Sequence, residues 1–85
     1  MKSFRYTITD EVGIHARPAG LLVKEAKKYT SKITVSVGER KAEATKLMAL
    51  MALGVKCGQT IDVCAEGQDE EEAIRAMTNF FEQNL

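Results

Sequence analysis

The chain has no tryptophan, a single proline (Pro18), a single histidine (His15) and only two cysteines. Each shortage excludes something. Cys57 and Cys64 lack metal-ligand spacing, and no histidine lies close enough in sequence to complete a set, so neither a metal site nor a metal cofactor is expected. Two cysteines could form one disulfide, but in a reducing cytosol free thiols are the expectation. No apolar run is long: Leu47 to Leu53 falls far short of the roughly 20 residues that cross a bilayer. The start, Met1-Lys2-Ser3-Phe4-Arg5, lacks the apolar stretch of a secretion signal. These absences lead us to expect a cytoplasmic protein with no membrane insertion. Excess charge is missing too. Twelve Lys and Arg balance twelve Asp and Glu, leaving no net field to hold nucleic acid or an anionic membrane. Eighty-five residues are enough for one small domain, residues 1–85, with a modest core.

What the sequence does have is clear periodicity. Ser3 to Thr9 alternates Phe4, Tyr6 and Ile8 with polar neighbours, the period of a half-buried strand. Lys32 to Val37 repeats the pattern through Ile33, Val35 and Val37. After the Gly38-Glu39 turn, Arg40 to Ala44 reads as a weak edge strand carrying small Ala42 and Ala44. Thr60 to Ala65 is the fourth strand, with Ile61, Val63 and Ala65 on one face and Asp62 and Cys64 on the other. Helical spacing takes over from Ala16 to about Lys28, through Ala19, Leu22, Val23 and Ala26. It returns near the end through Ile74, Met77 and Phe81, behind an Asp69 N-cap and a Glu72 placed as in a capping box. The expected fold is α+β, in the order βαββαβα. A four-stranded antiparallel sheet carries three helices on one face and leaves the other to water, an open-faced β-sandwich.

The segment Lys46 to Leu53 is apolar nearly all round. A two-turn helix can turn only part of its circumference to a core, so some large side chains should stay exposed as a binding surface, and methionine suits a surface that fits several partners. Within the first helix, Gly20 costs roughly 1 kcal/mol relative to alanine. Drift and room for a close-approaching partner explain it equally well.

Chemistry concentrates in Gly13-Ile14-His15-Ala16-Arg17-Pro18-Ala19. Pro18 suits a first helical turn, where its missing N–H would have had no partner. His15 then stands at a helix N-terminus beside unpaired N–H groups. These, with Ala16, Arg17 and Pro18 in the first turn and the forked guanidinium of Arg17, make an anion site. The positive helix end favours a neutral imidazole, the form a nucleophile needs. A nucleophilic ring beside an anion cradle fits acceptance of a phosphoryl group; the residues alone fit at least as well an exposed loop histidine next to a helix that happens to start with proline.

Gly-Ile-His-Ala-Arg-Pro-Ala resembles the active-site signature of HPr, the histidine phosphocarrier family of the bacterial phosphotransferase system. The likeness runs through Lys24-Glu25-Ala26, Leu47 to Gly54, and Ala65-Glu66-Gly67. The resemblance implies the same open-faced sandwich and a carrier rather than a turnover enzyme. His15 would take a phosphoryl group on Nδ1 from phosphorylated enzyme I, ultimately from phosphoenolpyruvate, and pass it to sugar-specific enzyme IIA domains, with no cofactor and as a monomer. Leu47, Met48 and Met51 would form the docking face with Arg17, Gly20, Lys24 and Lys27 around them. The alternative is a regulatory relative, either Crh-like or a nitrogen-branch phosphocarrier. One position departs from the pattern: Lys46 stands where Gram-positive members carry the regulatory serine that an ATP-dependent kinase phosphorylates.

Overall fold

Alternation in the strands becomes a sheet with one dry and one wet face in the computed structural model, which describes residues 1–85. The elements are β1 (Lys2–Thr7), α1 (Ala16–Ala26), β2 (Lys32–Val37), β3 (Arg40–Glu43), α2 (Leu47–Ala52), β4 (Thr60–Glu66) and α3 (Glu70–Asn84). The strands lie in the order β1-β4-β2-β3, all neighbours antiparallel. Register links Phe4, Val63, Val35 and Ala42 into one row across the sheet, and Val63, Val35 and Ala42 are buried. The next row, Arg5, Asp62, Ser36 and Lys41, faces water: Arg5 Nε donates to Asp62 Oδ1 at 3.1 Å, and the Ser36 hydroxyl to the Asp62 carbonyl at 3.4 Å. Cys64 falls on this uncovered side, as its alternation demands, and both cysteines are free thiols. The architecture is therefore the open-faced sandwich expected of the sequence.

All three helices cover the dry face. α3 lies on β1 and β4, α1 packs against both other helices, and α2 sits against β3. Phe81 is the centre of the core. It is fully buried, and the rings of Phe4, Tyr6 and Phe80 meet it edge-on with centroids 5.8–5.9 Å away. An aromatic side chain buried in this way stabilises the fold by about 2–3 kcal/mol through apolar area alone. Met77 continues that stripe as expected, while Ile74 is only half-buried and Ala73 takes the inward place beside it. β1 stops at Thr7: the Ile8 N–H still reaches Gln59 O, just before β4, but the Thr9 N–H turns away to Leu85 O. α1 stops at Ala26, and the following turn tightens to Lys28 N–H···O Glu25 and Tyr29 N–H···O Ala26.

The start of α3 differs from the capping box read in the sequence. Asp69 is the N-cap by position, but its carboxylate does not bond to its own helix. It accepts the N–H groups of Thr30 and Ser31 at 2.9 Å each, and the hydroxyl of Ser31. The reach-back bond comes not from Glu72 but from Glu70, whose Oε1 accepts the Gly67 N–H at 3.1 Å. The reason is non-local. The α1–β2 loop delivers backbone donors and a buried hydroxyl to one point, and an ionised acceptor there prevents the cost of leaving Ser31 unpaired. The Ser31 hydroxyl first, and the Thr30 N–H next, hold the Asp69 carboxyl below its ordinary range.

A group whose folded form binds protons less readily than the unfolded chain contributes stability above the unfolded carboxylate range, about pH 4. That contribution is lost as pH falls through the lower folded value. Asp69→Ala should therefore unfold at lower urea than the wild type at pH 7, and the gap should narrow below about pH 4. Equal urea midpoints at pH 7 would show that the clasp does not stabilise the fold.

Candidate functional site

The turn that delivers His15 is closed by Asp10. Its carbonyl accepts the Gly13 N–H at 3.0 Å, and its Oδ1 accepts the Val12 N–H at 2.9 Å. Gly13 follows at φ +81°, and a Cβ built there would lie 2.3 Å from the Val55 carbonyl oxygen, so only glycine fits. Ile14 donates to the same Val55 oxygen at 3.0 Å and buries its side chain. From the other side, the Leu85 main-chain oxygen accepts the Asp10 N–H at 2.8 Å and the Thr9 hydroxyl at 2.9 Å, besides the Thr9 N–H. The loop is thus held by the end of α3 and by the α2–β4 connection together.

His15 is the N-cap of α1 in an unstrained extended conformation, φ −121° and ψ −176°, and its carbonyl accepts the Ala19 N–H at 2.9 Å. The imidazole does not cap, so it is free for another task. The N–H groups of Ala16 and Arg17 have no backbone acceptor, and Pro18 has no N–H to offer. No acidic residue lies in the first turn to neutralise that end. Arg17 is exposed, whereas Pro18 is buried and fixes the turn against the core. The side chain of His15 is 40% exposed, and its Nε2 lies 3.9 Å from Asp10 Oδ1. Asp10, His15, Arg17, Pro18, Leu21, Gln83 and Asn84 line a hollow of about 270 Å³. The arrangement offers a partly exposed imidazole, free main-chain donors and a guanidinium around a hollow that an anion could enter, a setting suited to taking up and holding a phosphoryl group.

Other residues singled out in the sequence divide by distance. Met48 is the most exposed large apolar residue, at 76%, with Leu47 and Met51 also open, while Leu50 and Leu53 carry α2 into the core. α1 and α2 pack against each other, so this apolar face adjoins the helix that begins at His15. Gly20 is half-exposed and a Cβ there would meet nothing within 4 Å. Lys24 and Lys27 are exposed on the same helix, but Lys27 is its C-cap, about 15 Å along the axis from Arg17. It belongs to the rim. Lys46 is exposed as the N-cap of α2. Sequence reasoning missed Asp10, Leu21, Gln83 and Asn84 around the histidine, and exposed Val12 beside it. Leu21 had a signal, an apolar residue on the outer side of α1. Gln83 and Asn84 had none, since only the fold brings the end of α3 to this point.

A model of the family described as PTS-HPr, the PTS HPr component phosphorylation site, matches residues 2–83. The chain belongs to the HPr family. It is similar to phosphocarrier protein HPr of Mycoplasma capricolum subsp. capricolum, with 43% identity over 91% of this chain and 86% of that protein. It is also similar to the HPr-like protein Crh of Halalkalibacterium halodurans, with 41% identity over 86% of this chain and 87% of the relative. Among solved structures, HPr-C-His from Thermoanaerobacter tengcongensis superposes with a TM-score of 0.93 at 42% identity, covering 98% of this chain and 93% of that one. The HPr family is one of phosphocarriers, and the match includes the chain's single histidine. No helix is long and apolar enough to cross a membrane.

Proposed function

We propose that His15 carries a phosphoryl group on Nδ1, taken from phosphorylated enzyme I and passed to enzyme IIA domains of the phosphotransferase system. The observation that carries this reading is the exposed imidazole at the α1 N-terminus, beside the unpaired Ala16 and Arg17 N–H groups. Those donors and the Arg17 guanidinium hold the phosphoryl oxygens; Pro18 fixes the turn that presents them. The chain then works as one domain, residues 1–85, in the cytoplasm. It is modified and restored rather than turning over a substrate, and no cofactor takes part.

Partners dock on the apolar face of Leu47, Met48 and Met51, with Arg17, Gly20 and Lys24 beside it and Lys27 at the rim. Open space at Gly20 lets a partner's backbone come close. The exposed large apolar residues other than Met1 are Val12, Leu21 and these α2 residues, which suits a monomer that associates through this face; an HPr of T. tengcongensis and Crh of Bacillus subtilis have been solved as dimers. Likeness to Crh raises a regulatory reading. By family resemblance Crh proteins lack the active histidine, and its presence here favours the carrier.

His15→Ala should retain the fold, with stability within about 1 kcal/mol of the wild type, and take up no acid-labile phosphate from phosphoenolpyruvate and enzyme I. Phosphate on the alanine variant, or none on the wild type, would refute the assignment. Met48→Asp should leave the urea midpoint nearly unchanged, because the residue is exposed, and weaken binding to enzyme I by about tenfold or more. A large loss of stability, or undiminished binding, would remove Met48 from the docking face. Lys46 offers no hydroxyl, and its charge is opposite to that of a phosphoserine. The protein should therefore stay unmodified with a Gram-positive HPr kinase and ATP, and an added phosphate in the intact mass would overturn this.

A further inference from the structure

Asp10 is the one acidic side chain lining the hollow with the histidine, and beyond closing the turn it has no part in the transfer proposed above. It faces the ring nitrogen that the proposed transfer leaves idle. Nε2 is 3.9 Å from Oδ1, and both side chains are partly exposed, at 40% and 32%. The carboxylate is not free to swing. Oδ1 holds the Val12 N–H at 2.9 Å, while the backbone of Asp10 is tied to Leu85 through its N–H and to Gly13 through its carbonyl. A negative charge is thus fixed on one edge of the imidazole, and the positive end of α1 lies beneath the residue that bears it.

We propose that Asp10 is a positioning residue for His15. It keeps the ring proton on Nε2, so that Nδ1 presents its lone pair, and it stands as counter-charge to the ring when Nδ1 is phosphorylated. The proposal rests on the reading of His15 as the phosphoryl acceptor. In the transfer, the Nδ1 lone pair forms the new N–P bond as the N–P bond of the donor phosphohistidine breaks, and that electron pair returns to the donor nitrogen. Because Nε2 already carries its proton, the product is a phosphoimidazolium and no proton has to arrive or leave. In onward donation the N–P electron pair returns to Nδ1 and neutral imidazole departs, a far better leaving group than imidazolate. A carboxylate facing Nε2–H favours that protonated phosphoform. Without it, the proton on Nε2 is held less firmly and the phosphoryl group leaves more slowly.

The test uses the full chain labelled with 15N, and compares wild type with Asp10→Asn and Asp10→Ser. Both variants retain a side-chain oxygen for the Val12 N–H; asparagine lacks the charge, and serine also lacks the reach. In the unphosphorylated protein the ring 15N shifts give the ratio of the two neutral tautomers. The share protonated on Nδ1 should rise about two- to fivefold in both variants, the range an exposed charge contact supports. After loading from enzyme I and phosphoenolpyruvate, the phosphoforms of the variants should transfer to an enzyme IIA domain more slowly by a similar factor, and their Nε2 shift should move toward that of an unprotonated ring nitrogen. Tautomer ratios equal to wild type in both variants would overturn the proposal. A shifted ratio in protein that enzyme I cannot phosphorylate would leave Asp10 as the orienting group and instead refute the carrier reading.

Discussion

The placement of residues 8–14 governs what His15 can do. This stretch has left the sheet, so its backbone groups need partners elsewhere, and they find them in two segments far away in sequence. Leu85 supplies an oxygen to Thr9 and Asp10, and Val55 supplies one to Ile14. At Gly13 the backbones approach so closely that a single added carbon would collide with Val55. The histidine is therefore carried on a loop whose position is set by the core: Leu85 and Val55 are both buried, and α3 reaches the loop only because Phe81 is anchored among Phe4, Tyr6 and Phe80. A site on a surface loop gains in this way the positional precision of the sheet beneath it.

The short helix α2 shows the same economy on the exposed apolar side. Six residues make fewer than two turns, so Leu50 and then Leu53 are enough to tie it down, and the remaining large side chains have no interior to enter. Its apolar exposure follows from its length. What decides whether such exposure is a liability or a surface for use is its neighbour, and here the neighbour is α1, with an exposed cation row along it and the histidine at its start.

How much of this was legible depended on whether the determining contacts were local. Strand alternation gave β1, β2 and β4 within a residue or two, because one face of each strand is buried and a one-residue slip would reverse it. Arg40–Glu43 was readable as an edge from its small residues for the same reason. The first turn of α1 was readable because proline and the unpaired N–H groups act within three residues of His15. Asp69 was misread because its side chain answers to Thr30 and Ser31, some forty positions away in sequence, and no spacing rule reports that. Asp10, Gln83 and Asn84 escaped for the same cause: they reach the histidine through a turn and through the whole length of α3, not through periodicity. Gly13 was noticed only as part of a motif, whereas its necessity lies in the carbonyl of Val55.

Zero net charge conceals a strong segregation, and the helix directions explain it. α3 begins where Asp69 clasps the loop after α1 and ends where Leu85 clasps the loop before it, so α1 and α3 run in opposite directions. The acidic start of α3, Glu70, Glu71 and Glu72, suits the positive end of that helix and therefore collects at the far end of α1 from His15. The start of α1 has no acid of its own, and Arg17 and Lys24 follow along it without ion partners. Carboxylates are thus moved away from the start of α1 by the same dipole argument that places them well in α3. Asp10 is the exception that approaches the ring, and it does so from the Nε2 edge, leaving the Ala16 and Arg17 N–H groups without a backbone acceptor.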